Sequence, residues 1–332
     1  MKNTKIANNI EAINDALMIA MTQDSSVIVY GEDVGLEGGV FRATKGLQAK
    51  FGKTRCFDSP LDEATIMGVA IGLALNKLKP VCEIQFQGFS YGAFQNLFGH
   101  AARYRNRSRN RFTCPLVVRM PMGGGIRAIE HHSESIEALF CHIPGLKVVI
   151  PSTPYDSKGL LLAAINDPDP VVFLEPKRVY RAFKQEIPQD YYEVEIGKAQ
   201  IVTPGRDLTI VSYGATLHDC LKAVNELKKI NPNFSIELID LRTLKPWDQD
   251  SVITSIKKTG RLLVVHEAVR SFSVASEIIA TINERCFFNL KTIPQRLCGP
   301  DITVPLDQGE KWSMITPDKV VNKIMQLMSE EI

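Results

Sequence analysis

Residues 58–89 read DSPLDEATIMGVAIGLALNKLKPVCEIQFQGF, and this stretch decides how the rest of the chain is understood. Its first part starts like a helix. Ser59 fits an N-cap, Pro60 fits the first helical position, and Asp62 and Glu63 fall in the first turn, where the helix dipole favours negative charge. The segment runs on as ATIMGVAIGLALN, almost wholly apolar and small, with Gly68 and Gly72 four apart on one face. Such a helix is buried all round or packs tightly against another subunit. Lys79 to Phe86 (KPVCEIQF) then reads as a buried strand. Helices alternating with buried strands are the signature of parallel sheets covered on both faces.

The alternation extends in both directions. Val27 to Tyr30, Pro115 to Met120 and Leu146 to Ile150 read as strands, and Asn9 to Met21 and Asp156 to Asn166 as helices. Around 176–206 the pattern weakens under Pro176, Pro188 and Pro204, and this stretch is expected to be a linker. Beyond it the alternation restarts: strands at Leu208–Ser212, Ser235–Leu241 and Leu262–His266, helices at Leu217–Lys228, Val252–Lys258 and Val274–Glu284. The reading is α/β with two doubly wound domains, and 332 residues suit about two domains.

Composition narrows the function. With 39 basic against 37 acidic residues the net charge is +2, and 45% of residues are apolar. That balance excludes disorder as the main state and argues against a nucleic-acid footprint over the whole chain. The longest uncharged apolar stretch, Ile66 to Leu75, is far short of the ~18 residues that span a bilayer. Seven cysteines without a C-x-x-C pair support reduced thiols and a cytoplasmic location, and MKNTKIANNIEAIND does not read as a secretory signal.

Four segments could carry chemistry. Asp62 and Glu63 are either a well-made helix start or, at the mouth of an apolar helix, partly desolvated, which raises a carboxyl pKa and suits Glu63 to proton relay. Gln85-Phe86-Gln87-Gly88-Phe89, at the carboxyl end of a strand, offers either a stacking face for a flat ring or core aromatics under a loop. Gly123-Gly124-Gly125 must bend sharply or approach a ligand. The Glu130-His131-His132-Ser133-Glu134 run beyond it lacks metal spacing and fits a single titrating histidine better. Arg103 to Arg111 carries five arginines at alternate positions, either an anion or nucleic-acid patch or a solvated helix end with salt bridges to a partner. There is no Rossmann glycine fingerprint, no P-loop and no G-x-S-x-G elbow.

Taken in order, GEDVG at 31–35, GGVFRAT at 38–44, FDSPLDEA at 57–64, EIQFQGF at 83–89, MGGGIR at 122–127, HSES at 132–135, PGLKVVIPSTPYD at 144–156, INDPDPVVFLEPKRVYR at 165–181 and IDLRTLKPWD at 239–248 form a pattern. From about residue 5 to 328 the chain resembles the beta subunits of thiamine-diphosphate-dependent 2-oxo acid dehydrogenases, most of all the bacterial type that uses pyruvate. The resemblance implies a pyrimidine-binding, transketolase-like domain at 1–185, a linker at 186–205 and a transketolase C-terminal-like domain at 206–332. It implies an alpha2beta2 heterotetramer docked on a dihydrolipoyl acyltransferase core. The alpha subunit would hold magnesium and the diphosphate, and this chain the aminopyrimidine of thiamine diphosphate. The reaction implied is oxidative decarboxylation of pyruvate, with the acetyl group passed to lipoyl. Branched-chain 2-oxo acid and acetoin versions are the alternatives, and a non-catalytic assembly subunit is the rival outside the class. Glu63 falls on the family's activating glutamate, which hydrogen-bonds the pyrimidine ring nitrogen. Gln85 and Phe89 fall at the pyrimidine, and His132 on the active-site histidine. Leu116, Ala164, Ile165, Asp167 and Asp169 fall on a potassium site built largely of backbone carbonyls. Two departures stand out: Ser108-Arg109-Asn110-Arg111 replaces a small-Gly-Gly turn, and Val269 to Phe272 is bulky where many relatives carry glycine.

Overall fold

The computed structural model describes residues 3–306 and 308–330, so positions 1–2, 307 and 331–332 of the expected domains lie outside the described residues. Its strands, in chain order, are β1 (Thr4–Ala7), β2 (Val27–Gly31), β3 (Cys56–Asp58), β4 (Lys79–Glu83), β5 (Val117–Met122), β6 (Lys147–Val149) and β7 (Val171–Pro176). They continue as β8 (Gln185–Pro188), β9 (Gln200–Thr203), β10 (Leu208–Ser212), β11 (Ile236–Asp240), β12 (Thr243–Lys245), β13 (Leu262–Val269) and β14 (Gln295–Gly299).

One sheet runs β12-β6-β7-β5-β4-β2-β3 and is parallel except at its β12 edge. Every residue of β2, β5 and β7 is buried, which is why these strands read as unbroken apolar runs rather than alternating ones. Helices Asn9–Gln23 and Pro154–Asn166 pack together on one face over Leu17, Val29, Leu161 and Phe173. Both starts are well capped. Asn8 and Glu11 form a reciprocal capping box, and Thr153 accepts the Asp156 amide ahead of Pro154. Helix Glu63–Leu75 covers the other face through Ile66, Met67, Ala70 and Ala74, but Val69 is 40% exposed. Of the two arrangements expected for this apolar helix, burial all round is therefore excluded within a single chain.

A second sheet, β14-β13-β10-β11-β9, is parallel except for β9. The two sheets share a core: one apolar cluster runs from Tyr30, Val118 and Val172 to Val211, Ile239 and Val264. The chain of the second half also adds β12 to the edge of the first sheet, beside β6. The stretch expected as a linker carries β8, paired with β1, and β9, paired with β11. Both are short strands whose partners are distant in sequence, so no local period announces them.

Across this junction Tyr213 Oη donates to Glu137 Oε1 at 2.8 Å. Glu137 is fully buried and its second oxygen has no partner. Burial first, and then the charge of Glu267, push its pKa up to about 7, opposed by the Tyr213 hydrogen bond; Cys141 and Cys298 are the other titratable groups facing it. Between the free-glutamate value and about 7 the folded chain holds a proton that the unfolded chain has released. This group's contribution is therefore greatest at and below the free value, and it is lost as pH rises towards about 7. Glu137→Gln keeps an acceptor for Tyr213 and removes the titration. The variant's unfolding free energy should match the wild type near pH 4 and exceed it progressively to pH 8, by on the order of 3 kcal/mol at most. A gap that does not change with pH would show that Glu137 is not titrating in the fold.

The two departures from the resembled pattern have a backbone signature. Arg109, Asn110 and Phe272 all take left-handed conformations, with φ of 53°, 62° and 52°. Glycine would make these turns without strain; Phe272 stands 96% exposed on its turn. The arginine strip is not one continuous face. It passes from the single helical turn Tyr104–Arg107 into these left-handed residues, and Arg105 is paired with Asp169 at 2.7 Å.

Candidate active site

Because β2, β3, β4 and β5 are parallel neighbours, their carboxyl ends open on the same edge of the sheet, and the loops leaving them converge there. Glu32 and Asp33 leave β2, Glu63 follows β3, Gln85 to Phe89 follow β4, and the glycine loop and His132 follow β5.

Glu63 is the first residue of its helix and is half-buried. The cap is Asp62, not Ser59: its carboxylate accepts the amides of Ala64 and Thr65 at 3.1 and 3.3 Å. Ser59 does not cap: its amide donates to the Gly31 carbonyl at 2.9 Å, extending the β3–β2 ladder, and its hydroxyl has no partner. Pro60 consequently lies outside the helix. Tyr30 Oη donates to the Ile66 carbonyl and Asn96 Nδ2 to the Ala64 carbonyl, so the first turn is tied both to the sheet and to the neighbouring helix Phe94–Gly99.

Beside Glu63 sits a second carboxyl that the sequence reading did not single out. Glu32 is 6% exposed and its Oε1 has no partner. Burial first, then the negative charges of Glu63, Asp33 and Glu83, push its pKa up to about 7. The only sequence signal was its place two residues past a strand inside GEDVG. Asp33 has φ of 56° and accepts from Gln85 Nε2 at 2.9 Å, which joins the β2 and β4 loops.

The 3-10 segment Gln87–Ala93 carries the aromatics. The ring of Phe86 lies 4.4 Å from that of His132 and 5.5 Å from that of Phe89, and Phe89 lies 5.1 Å from His132. Gly88 is what permits this approach, since a Cβ there would fall 2.3 Å from the His131 carbonyl oxygen. His131 and His132 belong to a 3-10 turn, Glu130–His132. His131 is exposed; His132 is half-buried, and its Nδ1 is buried without a partner. Gln87 Oε1 accepts the Ile136 amide at 3.0 Å and Tyr91 Oη donates to Glu134 at 2.9 Å, which fasten the histidine loop to the 3-10 segment.

Beneath the aromatics lies a buried ion cluster. Arg119, 1% exposed, donates to Glu83 at 2.7 Å and to both oxygens of Glu175 at 2.7 and 3.0 Å, and Tyr180 also donates to Glu175. Burial raises the Glu83 pKa, against the pull of Arg119. The Lys177 ammonium stands 5.5 Å from the Phe86 ring centre, its pKa lowered to about 8 by burial.

Glu63, Phe89 and His132 are therefore placed around one edge, with Gln85 holding two of its loops together. Leu116, Ala164, Ile165, Asp167 and Asp169 lie elsewhere, at the amino edge of the same sheet. They gather about one turn: the Val171 amide donates to the Leu116 carbonyl, Asp167 to the Ala164 carbonyl, and Asp169 to the Asp167 side chain. Lys147 and Arg105 pair with the two aspartates. Among the described residues no group of three or more His, Cys, Asp or Glu side chains could hold a metal, and no helix is long and apolar enough to cross a membrane.

The site fits a flat, nitrogen-bearing heterocycle. It offers an aromatic wall, a carboxyl at a helix start, and two buried polar atoms, Glu32 Oε1 and His132 Nδ1, without protein partners.

Residues 6–182 match the family described as transketolase, pyrimidine binding domain, and residues 197–320 match transketolase, C-terminal domain. The chain is 56% identical to the pyruvate dehydrogenase E1 component subunit beta of Mycoplasma genitalium, over 97% of this chain and 98% of that one. It is 50% identical to the Bacillus subtilis protein of the same name, over 91% and 92%. Identity to the 2-oxoisovalerate dehydrogenase subunit beta of Bacillus subtilis is 45%, over 97% and 98%. Among solved structures, a split gene transketolase described as an inactive beta4 tetramer superposes with a TM-score of 0.79 over 98% of this chain and 99% of that chain; at 20% identity this shows the fold alone.

Proposed function

The chain belongs to the family of pyruvate dehydrogenase E1 component beta subunits, and from that membership we propose that it provides the pyrimidine-binding half of a thiamine-diphosphate site that oxidatively decarboxylates pyruvate. The observation that carries this reading is the pairing of Glu63 with Glu32 beside the Phe86–Phe89–His132 cluster at one sheet edge.

Thiamine diphosphate, when bound, supplies the carbon nucleophile and electron sink for loss of carbon dioxide from a 2-oxo acid. Glu63 would hold a proton at the aminopyrimidine, with Gln85 and Phe89 beside the ring. Glu32 stands next to Glu63, and its pKa of about 7 makes both of its own protonation states accessible at neutral pH. Phe86 and Phe89 would offer the ring an aromatic wall. His132, whose buried Nδ1 has no protein partner, would serve the acyl transfer to lipoyl.

The remaining assignments are an alpha partner in a heterotetramer that holds magnesium and diphosphate, a dihydrolipoyl acyltransferase core as acceptor, a cytoplasmic setting, and potassium at the 164–169 turn. The partly exposed apolar helix Glu63–Leu75, beside the site, supports the alpha contact. Co-expression with an alpha subunit, followed by assays with pyruvate and 2-oxoisovalerate in parallel, tests the reading. Turnover of pyruvate should require both chains and exceed that of 2-oxoisovalerate by at least about tenfold. A preference for the branched substrate would reassign it, and robust turnover by this chain alone would overturn the shared site.

A further inference from the structure

The glycine loop ahead of His132 is gripped from the other half of the molecule. Gly124 donates its amide to Glu267 Oε2 at 3.2 Å. Gly125 and Arg127 donate theirs to the two oxygens of Glu310, at 2.7 and 2.9 Å. Glu310 is 3% exposed and opens the helical turn Glu310–Ser313; Glu267 stands on β13. Both oxygens of one buried carboxylate are thus spent on two backbone amides of a single loop.

The grip acts where the loop has least support of its own. Gly123 and Gly125 have φ of 84° and 92°, and Arg127, a non-glycine, is held at 57°. A Cβ on Gly123 would fall 2.5 Å from Glu267 Oε1. A cavity of about 500 Å³ lies between the second half and the segment that follows His132, with Gly124, Ser133 and Ile136 in its wall, while Arg178 and Met314 pack against Gly125. The base of the loop is pinned separately, because the Gly123 amide donates to the Glu134 carbonyl at 2.9 Å and Lys177 Nζ to the Gly123 carbonyl at 2.6 Å. The tip has Glu310.

We propose that Glu310 is a positioning residue for His132, which makes the second half of the chain part of the acyl-transfer machinery. The inference rests on His132 acting in that step. Charge-assisted hydrogen bonds to backbone amides fix geometry closely, and a displacement of about 1 Å at a reacting group can cost about a hundredfold in rate.

The test uses the assembled heterotetramer with Glu310→Ala and Glu310→Gln. Glu310→Ala should lower kcat for lipoyl-dependent turnover about 10- to 100-fold with KM for pyruvate within about threefold; Glu310→Gln, which keeps one acceptor oxygen, should recover part of that. In a His132→Ala background the Glu310 change should cost less than about threefold more, since it acts through the histidine. Independently of turnover, amide exchange in 123–134 should quicken at least about tenfold in Glu310→Ala while β10 is unchanged. Losses that multiply in the double variant, or loop exchange at the wild-type rate, would overturn the proposal. If the wild-type complex turned over no 2-oxo acid, the functional reading would fall, and the exchange measurement would still decide whether Glu310 holds the loop.

Discussion

Glu63→Gln should lower kcat of the reconstituted enzyme by about a thousandfold and leave the fold and subunit assembly unchanged. Glutamine has nearly the same size and hydrogen-bonding reach, but it cannot hold and release a proton, and proton transfer by a positioned carboxyl contributes about 10²–10⁴ in rate. The structural cost is small. At the first helical position the lost charge–dipole interaction amounts to about 0.3–1 kcal/mol, and the Asp62 cap and the Tyr30 and Asn96 ties remain. Steady-state kinetics with pyruvate, alongside circular dichroism and a sizing column, separate the two effects. Activity within about threefold of wild type would remove Glu63 from the mechanism and favour a subunit that has kept the fold without the chemistry.

The second large effect concerns stability. Arg119→Met should destabilise the chain by about 3–5 kcal/mol, because it leaves Glu83 and Glu175 buried without their cation. That corresponds to a thermal midpoint lower by roughly 10 °C for a domain of this size. The cost belongs to the stranded charges rather than to the arginine itself. Adding Glu83→Gln and Glu175→Gln to Arg119→Met should therefore recover most of the loss. A single variant within about 1 kcal/mol of wild type, or a triple variant worse than the single, would show that the cluster is not what holds this edge of the sheet.

The parts legible in the sequence were those decided by local physics. Strand β10 was expected at Leu208–Ser212 and is found there, since a fully buried parallel strand is a short apolar run with clear ends. The helix before β2 was expected from the helical spacing of its apolar residues to start at Asn9, and does; the structure adds a capping box at its start. The start of the Glu63 helix was misjudged because the competing interaction is not local: the Ser59 amide is spent on Gly31, across the sheet. Strands β8, β9 and β12 were missed for the same kind of reason. The partner of β8 lies at the other end of the first half, and β12 is three residues inserted into the opposite sheet.

The site divides in the same way. The aromatics, His132 and Glu63 are visible as residue types at strand ends. The elevated pKa of Glu32 is produced first by burial and then by the charges of Glu63, Asp33 and Glu83, which the fold brings together and which have no linear pattern. The three glycines signalled a close approach, but what approaches them are carboxylates 143 to 185 residues further along the chain. The departures at Arg109, Asn110 and Phe272 were legible as odd residues, and only the backbone shows that they take left-handed conformations that glycine adopts freely.

The central claim is that Glu63 addresses the aminopyrimidine from the edge of the first sheet. A structure of the chain assembled with its alpha partner and thiamine diphosphate measures this directly. The Glu63 carboxyl should lie at hydrogen-bond distance, about 2.6–3.2 Å, from a pyrimidine ring nitrogen, with Phe89 against the ring. A carboxyl turned to solvent, or a cofactor seated away from the β2, β3 and β4 loops, would contradict it.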